Sequence, residues 1–173
     1  HFQEFSLYGG EVAIKEIWRV GYALSKLCGN EKMQAKYETY FQNNEILKIA
    51  LQKGINSHKT TSVGRLFDGV ASLMGILQNT SYEGQSGALI EELYYQSFGL
   101  QDSSLGDSSL QDFHFVDSHL VDFSGDFMPY PFEIKNGVVM LKSFINGICE
   151  DICLGVDLRV VARKFIRTLG AIA

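Results

Sequence analysis

The chain has 173 residues, of which 46% are hydrophobic, so it can bury the core of one domain. Its formal charge of −5 argues against a protein that binds nucleic-acid backbones, because no cluster of lysine and arginine offsets the acidic residues. No apolar run approaches the roughly 18 residues of a membrane span, and three cysteines without paired spacing fit a reducing compartment. We therefore expect a cytoplasmic protein that binds neither membranes nor nucleic acid.

The amino-terminal part predicts a strand, a turn and a helix. Residues Phe2 to Leu7 alternate loosely in polarity, as an edge strand does, and lead to Gly9-Gly10. A glycine pair before a helix permits a tight turn and leaves backbone N–H groups facing outward, which suits a phosphate or a ribose. Apolar residues at helical spacing from Ile14 to Leu27 then predict one helix that ends near Cys28-Gly29.

The next part predicts two shorter helices between Glu31 and Gln52, with a break at Asn43-Asn44. Gly54 closes the second of them, because glycine readily adopts the left-handed conformation that ends helices. The polar stretch from Asn56 to Lys59 is interpreted as a connector to the next helix.

Residues 60–76 predict the helix around which the chain is organised, with Thr61 or Ser62 as its N-cap. Its apolar face is formed by Val63, Leu66, Phe67, Val70, Met74 and Leu77. Its opposite face carries small residues, namely Gly64, Gly69, Ser72 and Gly75. Each glycine costs a helix about 1 kcal/mol relative to alanine, so this face indicates close approach of a neighbouring helix or a bound ligand. The pattern alone favours the helix.

Two charged residues of this helix, Arg65 and Asp68, stand one turn apart. One interpretation is an exposed ion pair, which stabilises a helix by about 0.2–0.5 kcal/mol. The other is a guanidinium group that faces a ligand and is oriented by the carboxylate. The sequence pattern leaves both open.

Residues 100–124 differ from the rest, because an apolar residue opens each five-residue unit and aspartate takes its third position. These copies are too few for a stacked β-solenoid, so residues 99–128 are interpreted as an inserted loop. Asp112, His114, Asp117, His119 and Asp122 offer at most an adventitious site for a divalent ion. No other metal site is predicted in the chain.

After the insert, Asn136-Gly137 between two apolar runs predicts a short β-hairpin. Two helices follow, and Asp157 is the predicted cap of the second. Cys149 and Cys153 are interpreted as core residues of the first, because no histidine lies near them. The predicted fold is therefore mainly α with a small β element. Residues 1–98 and 129–173 form one domain on either side of the insert.

Several of these segments resemble one family in order and spacing. The run Ser62-Val63-Gly64-Arg65-Leu66-Phe67-Asp68, followed by Tyr82-Glu83-Gly84-Gln85, resembles the C-terminal part of the HypF-type carbamoyltransferases, and this pair of motifs is specific. The Gly9-Gly10 segment, Tyr130 to Ile134 and Ile145 to Ile152 resemble other segments of that family. The resemblance covers nearly all of the chain except the insert and the region from 31 to 52.

The resemblance implies a helical lobe from a TsaD-like domain of the actin/Hsp70-like (ASKHA) type, in which two lobes enclose a nucleotide. It implies a carbamoyltransferase that uses carbamoyl phosphate and ATP to make a carbamoyl-adenylate. The carbamoyl group then passes to the C-terminal cysteine of the partner HypE, during [NiFe]-hydrogenase maturation.

The resemblance also assigns site residues. Arg65 and Asp68 would be catalytic, and Gly9, Gly10, Ser62 and Gly64 would line the nucleotide and carbamoyl pocket. The family's metal-binding histidines belong upstream of His1 and its last nucleotide loop beyond Ala173, so ATP and magnesium would bind in the parent protein and the fragment alone would be inactive. The alternatives are a non-enzymatic helical interaction module and a tRNA threonylcarbamoyl-transfer relative.

Overall fold

The computed structural model describes residues 1–100 and 127–173, so nearly all of the predicted insert, with its possible ion ligands, lies outside the described residues. The described elements are β1 (Phe5–Tyr8), α1 (Val12–Lys15), α2 (Trp18–Cys28), α3 (Glu31–Tyr37), α4 (Glu45–Lys53), β2 (Ser57–Thr60), α5 (Val63–Leu73), α6 (Gln85–Gln96), β3 (Glu133–Lys135), β4 (Val138–Met140), α7 (Leu141–Cys153) and α8 (Leu158–Ile172). Short 3₁₀ turns follow α3 and α6. The chain is mainly α with a small β element, as predicted. Within the two described ranges, each helix is too short or too polar to span a bilayer.

Helix α2 lies at the centre of the fold and packs against α3, α5, α7 and β1. Its buried residues lie on every side of the helix: Trp18, Val20, Gly21, Tyr22, Ala23, Leu24, Ser25 and Cys28. A helix that is buried all round belongs in the interior. The prediction that residues 60–76 form the organising helix is therefore wrong in this respect. Helix α5 forms as predicted but covers one side of α2 and leaves Val63 exposed.

Strands β1 and β2 form a two-stranded antiparallel ribbon in which Phe5 faces Thr60 and Tyr8 faces Ser57. Phe5 and Tyr8 are buried, and β1 packs on α2. The interpretation of this stretch as a polar connector is wrong from Ser57 onward. The pairing depends on backbone hydrogen bonds to β1, which polar side chains permit as well as apolar ones do.

The helix boundaries follow their local signals with one exception. Asn44 caps α4 by accepting a hydrogen bond from a backbone N–H at 3.0 Å, and Gly54 ends α4 with a φ of 65°. The single helix predicted over residues 14–27 is instead two helices, because the backbone leaves helical geometry at Glu16 (φ −90°, ψ 72°). The N–H of Thr80 donates to the last carbonyl of α1 at 2.8 Å, which compensates for the break.

The carboxyl-terminal part is joined to the rest along two surfaces. The β3–β4 hairpin turns at Asn136-Gly137, where both residues have the positive φ that the predicted turn requires. The N–H of Val139 in β4 donates to His1 O at 2.9 Å, and Gln3 N–H donates to Val139 O at 2.8 Å. Helix α7 packs on α2, and α8 packs on α6. The first three residues of the chain and β4 are therefore neighbours.

Candidate functional site

Arg65 and Asp68 lie near the start of α5 and form an ion pair, with 2.8 Å between Arg65 Nη1 and Asp68 Oδ2. Ser62 is the N-cap of this helix, and its hydroxyl accepts a hydrogen bond from the Arg65 N–H at 3.4 Å. The side chain of Arg65 keeps 19% of its surface exposed, whereas that of Asp68 keeps 7%. The Arg65 side chain is therefore partly exposed, while its Nη1 atom is buried against the carboxylate that holds it from the interior.

Asp68 is also tied to the next helix. The hydroxyl of Ser86, in α6, donates to Asp68 Oδ1 at 2.6 Å, and both residues are buried. Burial raises the pKa of Asp68, and the Ser86 hydrogen bond and the Arg65 charge offset only part of this rise. Sequence reasoning missed Ser86 because its partner is 18 residues away on another helix. Its position directly after the Tyr82-Glu83-Gly84-Gln85 motif was the available signal.

Two positions on the small-residue face of α5 are closed by other parts of the chain. A Cβ atom on Gly69 would overlap Leu24 Cδ1 of α2 and lie 3.2 Å from Leu24 Cγ. The hydroxyl of Ser72 lies 2.9 Å from Tyr37 Oη and donates to Gln78 Oε1 at 2.8 Å. The small residues at these two positions therefore make room for other side chains of the same chain. This is the packing interpretation that the sequence pattern favours. The idea that they admit a ligand is wrong.

The other two small residues of that face have different surroundings. A Cβ atom on Gly64 would meet only Ser62 Oγ, at 3.6 Å, so the first turn of α5 is open on that side. Gly75 has a φ of 77° and lies just beyond the end of α5, where the left-handed conformation favours glycine. Of the four small residues, Gly64 is thus the one with open space beside Arg65 on the same helix turn.

Gly9 and Gly10 form the turn between β1 and α1, with φ values of 90° and 59°. The N–H of Gly9 donates to Asn56 O at 2.9 Å, and that of Gly10 donates to a β1 carbonyl at 3.4 Å. The prediction that these two N–H groups face outward is therefore wrong. Side chains lie against the pair instead, since a Cβ atom would lie 2.9 Å from Arg19 Nη1 at Gly9 and 3.4 Å from the His58 ring at Gly10.

The predicted site residues form two groups at opposite ends of the β1–β2 ribbon. Gly9 is hydrogen bonded to Asn56 at one end, whereas Ser62 follows Thr60 at the other. At about 3.4 Å per residue, a ribbon of this length separates its ends by about 10 Å. The structure thus brings Ser62 and Gly64 together with Arg65 and Asp68, and sets the glycine pair apart. One ligand could contact both groups only if it were extended, as a nucleotide is.

An open cavity in the described part of the chain lies elsewhere, between α7 and α8. It is lined by Tyr130, Pro131, Ser143, Asn146, Gly147, Glu150, Asp151 and Lys164. Asp151 Oδ2 accepts hydrogen bonds from Tyr130 Oη at 2.7 Å and from Lys164 Nζ at 2.6 Å, so these polar groups already satisfy one another. Across residues 1–100 and 127–173, no three His, Cys, Asp or Glu side chains are placed to hold a metal ion.

Comparison with solved structures defines the class of fold. The chain aligns over 98% of its length with a crystal structure of full-length HypF in the phosphate- and nucleotide-bound form. The aligned part is 19% of the HypF chain, with a TM-score of 0.68 and 22% sequence identity. Together with the family model described next, this likeness gives a helical subdomain of a TsaD-like domain. Residues 1–173 also match the family model described as the carbamoyltransferase Kae1-like domain, second subdomain. The chain therefore belongs to this family.

The relatives with similar sequences carry the same name. HypF2 of Cupriavidus necator, a carbamoyltransferase, is 32% identical over 104 residues, which are 60% of this chain and 13% of the relative. The HypF carbamoyltransferase of Synechocystis sp. is 31% identical over 109 residues, covering 53% of this chain and 14% of the relative. A probable carbamoyltransferase HypF of Methanocaldococcus jannaschii is 34% identical over 95 residues, covering 53% and 12%. The matched part thus spans about an eighth of these relatives.

Proposed function

We propose that the chain forms part of a carbamoyltransferase that uses carbamoyl phosphate and ATP, by way of a carbamoyl-adenylate, to carbamoylate the C-terminal cysteine of HypE. The family membership and the names of the relatives support the transferase. The nucleotide-bound form of the solved HypF supports the use of ATP. The reaction would serve [NiFe]-hydrogenase maturation in the cytoplasm, and the chain alone would be inactive.

The observation that carries this proposal is the Arg65 guanidinium at the open first turn of α5. Asp68 holds the guanidinium group in place, with 2.8 Å between Asp68 Oδ2 and the buried Nη1 atom of Arg65, and 19% of the Arg65 side chain remains exposed. Beside it, Gly64 presents no side chain, and a Cβ there would meet only Ser62 Oγ, at 3.6 Å. A planar group such as a carbamoyl carbonyl can therefore approach a cation whose position is already fixed.

Such a cation is useful in the chemistry of carbamoyl transfer. When a thiolate attacks the carbonyl carbon of the carbamoyl-adenylate, negative charge develops on the carbonyl oxygen before the adenylate phosphate leaves. A donor that is already oriented stabilises this charge without reorganising at the moment of reaction. Arg65 has the planar, permanently charged group suited to this role.

The other predicted site residues would act in different ways. Asp68 is too buried to meet a substrate, so in this proposal it orients Arg65. Ser62 caps the helix that carries Arg65, and Gly64 leaves room for the ligand. Gly9 and Gly10 would line the far end of the nucleotide pocket, together with the Arg19 and His58 side chains that lie against them. No magnesium ligand is assigned to this chain, because the described residues hold no cluster of three suitable side chains.

The experiment is to replace Arg65 by alanine in the full-length protein and to measure transfer of labelled carbamoyl groups from carbamoyl phosphate to HypE. Loss of an oriented donor typically lowers kcat about 10²–10³-fold, and we expect a decrease of that order. Arg65→Lys keeps the charge but not the planar fork, so its loss should be intermediate.

The matched control is Arg159→Ala. Arg159 is also paired with a nearby carboxylate, at 2.6 Å from Asp157, but it lies at the start of α8, a different part of the fold. Its replacement should leave transfer at the wild-type rate. An Arg65→Ala protein that is folded and transfers carbamoyl groups to HypE normally would refute the assignment.

A further inference from the structure

Two cysteines that are far apart in sequence meet in the core. The sulfur atoms of Cys28 and Cys149 are 4.0 Å apart, although the residues are separated by 121 positions. Cys28 is the last residue of α2, and Cys149 lies within α7. Both thiols are free, and both residues are buried. The contact therefore lies on the packed surface between the central helix and the carboxyl-terminal part of the fold.

We propose that Cys28 and Cys149 form an oxidative modification site, at which a hydroperoxide converts the two thiols into a disulfide that joins α2 to α7. This inference does not depend on the proposed transferase activity. It rests on the distance between the sulfur atoms, on the position of Cys28 at a helix end and on the difference between the two thiols.

The distance requires only a small movement. A disulfide has about 2.05 Å between its sulfur atoms, so the two atoms must approach by about 2 Å. Cys28 can supply most of this movement because it is followed by Gly29, which ends α2 with a φ of 78°. The position of a Cβ on Gly29 is open, so the residue after Cys28 is not packed against a side chain there, and the movement has to be taken up by the bonds from the Gly29 and Asn30 N–H groups to Ser25 O, each 3.1 Å long. Cys149, within α7, has no such freedom.

The two thiols are not equivalent. Cys28 keeps 7% of its residue surface exposed and lies at a helix end, whereas Cys149 is fully buried within α7, so a small oxidant needs less local opening to reach Cys28. The contact between the two thiols shifts their pKa values in opposite directions, lowering that of Cys28 and raising that of Cys149, which agrees with the order of exposure. The thiolate is the form of cysteine that oxidants attack. Cys28 is therefore the thiol that reacts first, and Cys149 is the resolving thiol.

The chemistry balances in two steps. The Cys28 thiolate attacks an oxygen of the hydroperoxide, the O–O bond breaks, and Cys28 becomes a sulfenic acid while the other oxygen leaves as water or an alcohol after protonation. The Cys149 sulfur then attacks the Cys28 sulfur, the S–O bond breaks, and hydroxide leaves as water with the Cys149 proton. Together the thiols lose two electrons and two protons, and one hydroperoxide is reduced.

The chain offers its own control in Cys153. This residue lies one turn after Cys149 on α7 and is only partly buried, so it is more accessible to reagents than either member of the pair. If oxidation followed exposure alone, Cys153 would react and the buried pair would not. The proposal predicts the opposite outcome for the formation of a disulfide.

The test is to treat the full-length protein with hydrogen peroxide, alkylate the remaining thiols, and map the cross-linked peptides by mass spectrometry. Trypsin leaves Cys149 and Cys153 in one peptide, so a second cleavage after Glu150 is needed to separate them. We expect a Cys28–Cys149 cross-link in most molecules, which dithiothreitol reverses. Cys28→Ser should abolish it, and Cys153→Ser should leave it unchanged.

Two results would overturn the proposal. One is that Cys28 and Cys149 stay alkylatable while Cys153 is oxidised. The other is that Cys149 is found joined to Cys153 and Cys28 remains reduced. If the Cys28→Ser protein does not fold, the wild type and Cys153→Ser still decide the matter, since both keep the pair intact.

Discussion

The contact between α2 and α5 is so close that a single added methyl group at Gly21 should destabilise the fold. A Cβ atom there would overlap Tyr37 Oη and Ser72 Oγ and lie 2.8 Å from Ser72 Cβ. The two hydroxyl groups bond to each other at 2.9 Å in the interior. They cannot move aside without breaking that hydrogen bond, because α2 and α5 pack around them.

The expected size of the effect follows from three contributions. Overpacking of a core typically costs about 1–3 kcal/mol. Loss of the hydrogen bond between Tyr37 and Ser72 adds about 1 kcal/mol. The better helix propensity of alanine offsets about 1 kcal/mol. Gly21→Ala should therefore lower the free energy of unfolding by about 1–3 kcal/mol, and for a chain of this size each kcal/mol lowers Tm by about 2–4 °C.

The assay is urea unfolding of the 173-residue chain followed by the fluorescence of Trp18, its only tryptophan. Trp18 is buried and stacks on Tyr40 with ring centroids 5.0 Å apart, so its emission reports on the core. Gly87→Ala is the matched control, because a Cβ on Gly87, within α6, would meet no atom within 4 Å. That change should stabilise the chain by about 1 kcal/mol. A Gly21→Ala midpoint at the wild-type urea concentration, or midpoints of both variants shifted in the same direction, would contradict a close contact at Gly21.

Three further changes have defined outcomes. Asp157→Ala removes the cap of α8, whose carboxylate accepts from Arg159 N at 2.8 Å, and should cost about 1 kcal/mol in urea unfolding at neutral pH. Pairing with Arg159 lowers the pKa of Asp157 in the folded state. The stability that Asp157 contributes is therefore present above its unfolded-state pKa and is lost as the pH falls through its lowered folded-state pKa. The unfolding free energies of wild type and variant should therefore converge in acid. Ser86→Ala removes a hydrogen bond that lowers the pKa of Asp68, so the NMR titration midpoint of Asp68 should rise. Because burial already raises this pKa in the folded state, the protein loses stability as the pH rises through it. In the variant this loss of stability should extend to higher pH. Tyr130→Phe removes the 2.7 Å hydrogen bond to Asp151 and should cost about 1 kcal/mol, measured by the same unfolding assay, while the Lys164 pair remains.

Local signals in the sequence were sufficient for several elements of the fold. Asn44 and Gly54 bound α4 as predicted, and Asn136-Gly137 forms the predicted hairpin turn. Such features depend on residues within a few positions of one another, so their chemistry can be read from the sequence. The ion pair of Arg65 with Asp68 is likewise a local feature, since one helix turn separates the two residues.

Features that depend on distant partners could not be predicted in this way. Strand β2 exists because β1 supplies its backbone partners, and the polar sequence of β2 carries no sign of them. The tie between Ser86 and Asp68 joins two helices. The glycine pair at residues 9 and 10 suggested an anion site, but its N–H groups are taken by carbonyls of the same chain. In each case the deciding contact is tertiary.

The bridge between β4 and the first three residues has a consequence for how the polypeptide holds together. Strand β4 pairs with the first three residues, and α7, which follows it, packs on α2. Residues 1–100 and 127–173 are therefore held together by backbone hydrogen bonds and by helix packing. A protease that cuts between them should release neither piece. Two separately made peptides should likewise reassemble on mixing and regain the buried environment of Trp18.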